Sequence, residues 1–347
     1  MKKIKIAQIG TGHDHAGVTF ATLRRMTDVF DVVGYAEVSE DKIKDSSGKE
    51  YDKCDPWGYE GAKKYSVEEI LSMPDLDAVT IETFDLNIVK YAKMAAERGL
   101  HIQMDKATGE SAEEFEEFLS LIKRKNLVFN MGYMYRYNPA IERVFECVKR
   151  GEIGKVYSVD AEMSCYHKKQ KREWLGLLQG GMMQFLGCHL IDLIVRLNGV
   201  PDEIIPYNFS TLADGVNSKD VAFAVLKYPN GISTVKCSAL DTGGFIRRHL
   251  IINGEKGTIK ICPLEQYESP GMYAMTTEYF NGENWLDLGK ETKSEIFDRY
   301  KGMLNEFSRM IRGERGLEID LQTEARVARC LLVACGIKCD FKGKIDL

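Results

Sequence analysis

The chain has 347 residues, enough for about two domains at roughly 100–200 residues each. Apolar residues make up 44% and charged residues 29%, which excludes a disordered chain and a disulfide-knotted miniprotein. Lysine and arginine total 47 against 52 acidic residues, a formal charge of −5, so the basic excess of a duplex-binding protein is missing.

A local basic run remains at Lys168-Lys169-Gln170-Lys171-Arg172. The opening Met1–Gly10 has a positive start, but its apolar run is too short for a signal segment and Lys5 interrupts it. No stretch reaches the roughly 18–20 apolar residues of a membrane span. Nine cysteines, scattered from Cys54 to Cys339, include no C-x-x-C pair and suit free thiols in a reducing cytoplasm.

The first third alternates strand and helix patterns. Strands are predicted at Lys3–Ile9, Asp31–Val38, Asp77–Thr83, Leu100–Asp105 and Leu127–Gly132. Helical spacing predicts helices at Ala16–Met26, Ser66–Ser72, Leu86–Arg98 and Ser111–Lys125. Such alternation predicts right-handed βαβ units and a parallel sheet. Beyond about residue 150 the strands follow one another instead: Lys155–Met163, Asp220–Tyr228, Ile232–Ala239, His249–Asn253 and Gly257–Cys262. Pro229-Asn230-Gly231 and Gly254-Glu255-Lys256 read as hairpin turns. Helices are predicted at Cys188–Leu197, Ile296–Ile311 and Thr323–Lys338. The fold class expected is α/β: a doubly wound N-terminal domain over residues 1–125, then a C-terminal α+β domain over 126–347 with a large, mostly antiparallel sheet. The last helices are free to return to the first domain.

Gly10-Thr11-Gly12-His13-Asp14-His15 follows the first strand and opens the first helix. In a dinucleotide site the first glycine makes the tight turn and the second lets the backbone approach the pyrophosphate at the helix N-terminus. His15 stands where a third glycine is usual, with Ala16 and Gly17 next. Glu37 ends the second strand, where a carboxylate binds ribose hydroxyls and repels a 2′-phosphate, so NAD is expected over NADP. The alternative is a strand–helix turn with no ligand.

Lys106 directly follows the fourth strand, at the edge of the sheet where ligands of open α/β folds sit. It reads either as a proton-relaying group or as a solvated loop lysine. His189 and Asp192, three residues apart in the apolar Gly187–Ile194, share a helix face. They read as an acid–base pair or as a satisfied core histidine beside an unrelated carboxylate. Tyr133, Tyr135, Arg136 and Tyr137 suit a sugar-like or anionic substrate, or a tyrosine-packed crossing loop. His13, His15, His167 and the nearby cysteines match no standard zinc spacing, and no metal is expected.

The order of these features is a glycine turn, an acidic end to the second strand, Asp105-Lys106-Ala107, Arg136-Tyr137-Asn138-Pro139, then Gly187-Cys188-His189-Leu190-Ile191-Asp192. That order resembles the glucose-fructose oxidoreductase / inositol dehydrogenase / MocA family over essentially the whole chain. The resemblance implies hydride transfer between a nicotinamide cofactor and a secondary alcohol or ketone of a sugar, sugar derivative or cyclitol. Lys106 and His189 would then handle the hydroxyl proton, with Asp192 as a further candidate or Tyr166 in its stead. The cofactor set expected is Gly10, Gly12, His13, His15, Glu37, Thr83, Asp105 and Lys106. The substrate set is Tyr135, Arg136, Tyr166, His167 and His189. A homodimer or homotetramer through the C-terminal sheet is expected, with neither nucleic-acid nor membrane partners. Departures from the family pattern are His15, Ala107, Asn87 where histidine is frequent, and Phe185 where many members carry aspartate four residues before the histidine. The last leaves open an NAD-dependent glycosidase acting by transient oxidation and elimination, or a non-catalytic dinucleotide-binding regulator.

Overall fold

The computed structural model describes residues 2–44, 48–51, 57–280, 282–284, 286, 288–314 and 320–347. They divide into two compact units: Met1–Tyr133 with Tyr300–Ala328 and Lys344–Leu347, and Met134–Arg299 with Arg329–Gly343.

The first unit is built on β1 (Ile4–Ile9), α1 (Ala16–Arg25), β2 (Phe30–Ala36), β3 (Lys64–Tyr65), α2 (Val67–Ser72), β4 (Ala78–Ile81), α3 (Ile88–Glu97), β5 (His101–Met104), α4 (Ala112–Arg124) and β6 (Phe129–Met131). The six strands form one parallel sheet in the order β3-β2-β1-β4-β5-β6. The chain moves outward one way from β1 and the other way from β4, so the crevice beyond their carboxyl ends is the topological switch point where ligands bind such sheets. β4 is buried along its whole length, as a central strand covered on both faces must be. Sequence placed the domain boundary after residue 125 and left the strand at Leu127 open to the first sheet. The structure pairs that strand, β6, with β5, and the unit runs to Tyr133.

Two helix starts in this unit are chemically explicit. Ser66 and Glu69 form a capping box on α2, and Ser111 Oγ accepts the Glu114 N–H on α4. By contrast, α1 starts at His15 with no side-chain cap and no acidic residue in its first turn.

The second unit contains α5 (Pro139–Lys149), β7 (Val156–Glu162), α6 (Lys169–Leu175), α7 (Cys188–Asn198), β8 (Glu203–Phe209), β9 (Val221–Tyr228), β10 (Gly231–Ser238), β11 (His249–Gly254), β12 (Gly257–Ile261), β13 (Gln266–Glu268), β14 (Gly271–Tyr273), β15 (Met275–Tyr279) and β16 (Lys290–Lys293). Eight strands form one sheet in the order β16-β15-β12-β11-β7-β10-β9-β8. All its neighbours are antiparallel except β7 and β10. Ala222, Ala224 and Leu226 of β9 are fully buried while their neighbours are half-exposed, the alternation of a sheet with one covered face. Contacts of α7 with β7 and β10 place it against that sheet, and Cys188 through Val195 are all buried. A one-turn π-helical segment, Met183–Gly187, leads into it.

Two helices follow: α8 (Lys301–Ile311) and α9 (Leu321–Ala334). α8 belongs to the first unit, where Leu304 and Phe307 complete a core with Ile4, Ile6, Leu23 and Phe30.

The basic run does not form an open patch. Arg172 is fully buried and bonded to Asp214 and the Ala213 carbonyl, and Lys171 lies 3.3 Å from the Trp174 ring centroid. The described cysteines, Cys147 through Cys339, are free thiols; Cys54 lies outside the described residues. Among the described residues, no helix is long and apolar enough to cross a membrane.

Candidate functional site

In the first unit, the glycine turn runs from the carboxyl end of β1 into α1. Gly10 adopts φ +92°, and a Cβ there would lie 2.5 Å from Thr83, so the glycine admits the β4 loop. A Cβ on Gly12 would lie 2.4 Å from the carboxyl carbon of Asp41. That carboxylate takes the N–H groups of Thr11 (2.9 Å) and Gly12 (2.8 Å) through one oxygen and that of Phe84 (2.8 Å) through the other. The turn is therefore an anion cradle, with the chain's own Asp41 as the anion. Glu37 lies at the end of β2 as expected, but Lys64 of β3 sits 2.9 Å from it and offsets its charge.

Beneath the turn, four side chains converge from three places. His13 and His15 come from the turn, Glu82 from the end of β4 and Asp105 from the end of β5. Asp105 Oδ2 lies 3.3 Å from His13 Nδ1 and 3.1 Å from His15 Nδ1, and Glu82 Oε2 lies 3.7 Å from His13 Nδ1. His13, Glu82 and Asp105 are buried, and His15 is largely so. Burial alone would raise the Asp105 carboxyl pKa, yet the imidazoles of His13 and His15 hold it well below the usual range. Burial and then the Asp105 charge push the Glu82 carboxyl well above its usual range. Burial also lowers the His15 pKa, against the pull of Asp105.

Lys106 is fully buried, and its backbone N–H donates to Asp105 Oδ1 at 2.7 Å. The solvated loop lysine is thereby overturned. Thr83 is buried beside Gly10, and Asp85 in the same loop is buried with neither carboxylate oxygen receiving a hydrogen bond.

In the second unit, His189 is buried on α7 with the Tyr135 ring edge-on at 5.0 Å. Sequence paired His189 with Asp192 on one helix face. The structure corrects this: Asp192 holds Arg136 through two bonds, Nε to Oδ2 at 3.0 Å and Nη2 to Oδ1 at 2.6 Å, both residues being buried. A shared face fixes proximity, but the bidentate guanidinium on the other side wins the carboxylate. The expected substrate residue Arg136 is thus committed to an internal ion pair. The Tyr135 hydroxyl donates to Glu265, which Arg248 and Arg299 also hold; burial and the Glu265 charge push the phenol up to about 12. Tyr166 is exposed and bridges Leu240, and His167 Nε2 lies 3.1 Å from Cys165 Sγ, with its ring against Phe185.

Asp41, Glu82, Lys64 and the Glu265 cluster were absent from the sequence expectation. Glu82 alone had a signal, an acid directly after an apolar strand, the same pattern that singled out Asp105.

Residues 141–260 match the model of the GFO/IDH/MocA C-terminal domain. An uncharacterized oxidoreductase of Rhizobium meliloti is 31% identical over 261 residues, which span 74% of this chain and 76% of that protein. The chain belongs to the GFO/IDH/MocA family. It is an oxidoreductase of that family. A D-xylose 1-dehydrogenase (NADP(+)) of Haloferax volcanii is 28% identical over 180 residues, 51% of this chain and 54% of that protein. Among solved structures, the WlbA dehydrogenase of Chromobacterium violaceum, in complex with NADH and UDP-GlcNAcA, superposes with a TM-score of 0.73 at 18% identity. That match covers 97% of this chain and 93% of the other, a likeness of fold.

Proposed function

We propose that the chain is a nicotinamide-dependent dehydrogenase that moves a hydride between its cofactor and a secondary alcohol or ketone of a sugar, sugar derivative or cyclitol. The observation that carries this reading is Lys106, fully buried directly after a central strand of a parallel sheet whose first turn is an anion cradle. Burying an ammonium costs several kcal/mol, a cost retained where chemistry uses the group. The xylose dehydrogenase relative and the NADH-bound structural neighbour support the same class.

The residues present fit a dinucleotide. Thr11 and Gly12 already hold one carboxylate oxygen of Asp41, and the cofactor's pyrophosphate would take its place. The orphaned acceptors of Asp85 suit a hydroxyl donor such as a ribose. Glu37 favours NAD, and Lys64 tempers that preference. Bound there, the nicotinamide ring supplies the hydride acceptor or donor. Lys106 holds and moves the substrate hydroxyl proton, and Asp105 anchors its backbone. In the second unit, His189 and Tyr135 form an edge-on pair of a kind that suits contact with a hydroxylated ligand. The outward face of the large sheet carries Tyr207, Phe209 and Ile232, which supports pairing of two copies there.

An absorbance screen for reduced nicotinamide across sugars and cyclitols, with NAD and NADP, tests the reading. Lys106→Ala should lower kcat by about 10²–10⁴ while leaving cofactor affinity nearly unchanged. Retained turnover in that variant would refute Lys106 as the proton carrier. Glycoside cleavage without net NADH would replace the dehydrogenase by a glycosidase.

A further inference from the structure

We propose that His13, His15 and Asp105, with Glu82 beside them, form a binding site for one divalent first-row transition-metal ion at the base of the glycine turn. This goes beyond the dehydrogenase reading and does not depend on it.

The donor set is chemically coherent. Two imidazoles with carboxylate oxygens suit zinc, iron(II), cobalt or nickel, and no thiolate belongs to the cluster. Ligand atoms held about 2.0–2.1 Å from a common ion stand about 3.0–3.4 Å apart, between octahedral and tetrahedral geometry. The two closest separations, 3.1 Å from His15 Nδ1 and 3.3 Å from His13 Nδ1 to the same Asp105 oxygen, fall inside that window. The donor atoms of the three residues all lie within 4.8 Å of one another. The two imidazole planes are 72° apart, with centroids 4.8 Å apart, so the rings approach the shared space from different directions. Tyr300 braces His15 edge-on at 5.5 Å.

A second observation points to a missing cation. His13 Nδ1 accepts the backbone N–H of His15 at 3.2 Å, so that nitrogen is unprotonated, and an ion bound there would displace this N–H from its single lone pair. The groups it faces, Asp105 Oδ2 and Glu82 Oε2, are acceptors as well. Glu82 is 1% exposed, and neither of its oxygens is met in good hydrogen-bond geometry, with Thr19 and Asp105 as its polar side-chain neighbours. Acceptors brought face to face in a buried space cost free energy until a positive centre lies between them. A divalent ion supplies that centre and satisfies the orphaned carboxylate. It would also tie the glycine turn to the carboxyl ends of β4 and β5 through bonds that no side-chain cap of α1 provides. The competing arrangement has Lys106 as the sole cation near Asp105, with Glu82 protonated and no ion bound.

The test uses the full chain, stripped with a chelator and titrated with Zn²⁺ and with Co²⁺. The expected result is one ion per chain by calorimetry. The visible cobalt bands should show nitrogen and oxygen ligands, without the near-ultraviolet sulfur charge-transfer band that Cys165 and His167 would give. Zn²⁺ should also raise the melting temperature. His15→Gln and, separately, Glu82→Gln should weaken binding, the first by on the order of 100-fold or more. Circular dichroism of each variant would check the fold. Because the unmodified chain carries the primary readout, a variant that fails to fold leaves the test intact. No binding by the folded unmodified chain overturns the proposal. So does a cobalt spectrum with sulfur bands, or one unchanged in His15→Gln.

Discussion

In the second unit, the Glu265 carboxylate receives Tyr135, Arg248 and Arg299, and Asp192 receives both arms of Arg136. In the first unit, Asp105 and Glu82 face two imidazoles, one with an unprotonated Nδ1, and neither Glu82 oxygen is met in good hydrogen-bond geometry. Both clusters are buried and both are charged. The difference lies in whether donors from the chain match its acceptors. A matched cluster fixes one arrangement of the core. A cluster short of positive charge is shaped for something the chain does not itself supply.

The largest effect should come from breaking the matched side. Asp192→Ala leaves the Arg136 guanidinium buried without its partner and should cost about 3–5 kcal/mol in chemical denaturation. Near-normal stability with a shifted pH–rate profile would return Asp192 to the reacting groups. Acid should act next. Burial alone would raise the Glu265 carboxyl, but Arg299 and Arg248 outweigh it and hold the folded-state pKa below the usual 4.5. The folded state therefore prefers the ionised form. The stability it contributes is present above about pH 4.5 and is lost as the pH falls through the lowered value. Glu265→Gln should be less stable at neutral pH and show a flatter acid limb in thermal melts; an unchanged limb would place the acid sensitivity elsewhere.

Smaller effects sharpen the other side. Asp41→Asn removes the anion from the turn and should tighten NAD or NADP binding by up to about tenfold in calorimetry. Weaker binding would mean that Asp41 shapes the turn for the cofactor rather than competing with it. Lys64→Ala uncovers the Glu37 charge and should shift preference toward NAD by a few-fold, up to about fivefold. An unchanged ratio of affinities would remove the end of β2 from the choice of cofactor.

The parallel sheet was legible because each of its principal strands is a short apolar run ending in glycine or an acid, with helical spacing between. β8 was not, because Pro206 and its half-exposed edge position break the alternation. β16, Lys290–Lys293, is wholly exposed and polar, so no burial pattern marks it. α5 did carry a signal, Asn138 as cap and Pro139 at the first helical position, but those residues were read only as part of a binding motif. At the site, sequence order showed that Asp105 and Lys106 end a strand. It could not show Asp105 meeting His13 and His15, since that contact depends on β5 lying two strands from β1. The assignment of Asp192 failed for a related reason: helical spacing names the neighbours on one face and says nothing about what packs against that face.

The membership of α8 in the first unit has a consequence for how the protein is made. When Tyr133 leaves the ribosome all six parallel strands exist, yet Ile4, Ile6, Leu23 and Phe30 still lack Leu304 and Phe307. At about 5–20 residues per second, the stretch from Tyr133 to Lys301 takes on the order of 10–30 s to emerge. Throughout that interval the first unit presents an uncovered apolar patch to its surroundings, while Met134–Arg299 of the second unit is synthesised. Nascent chains stalled between those points should recruit holding chaperones, and release of those chaperones should coincide with the appearance of α8.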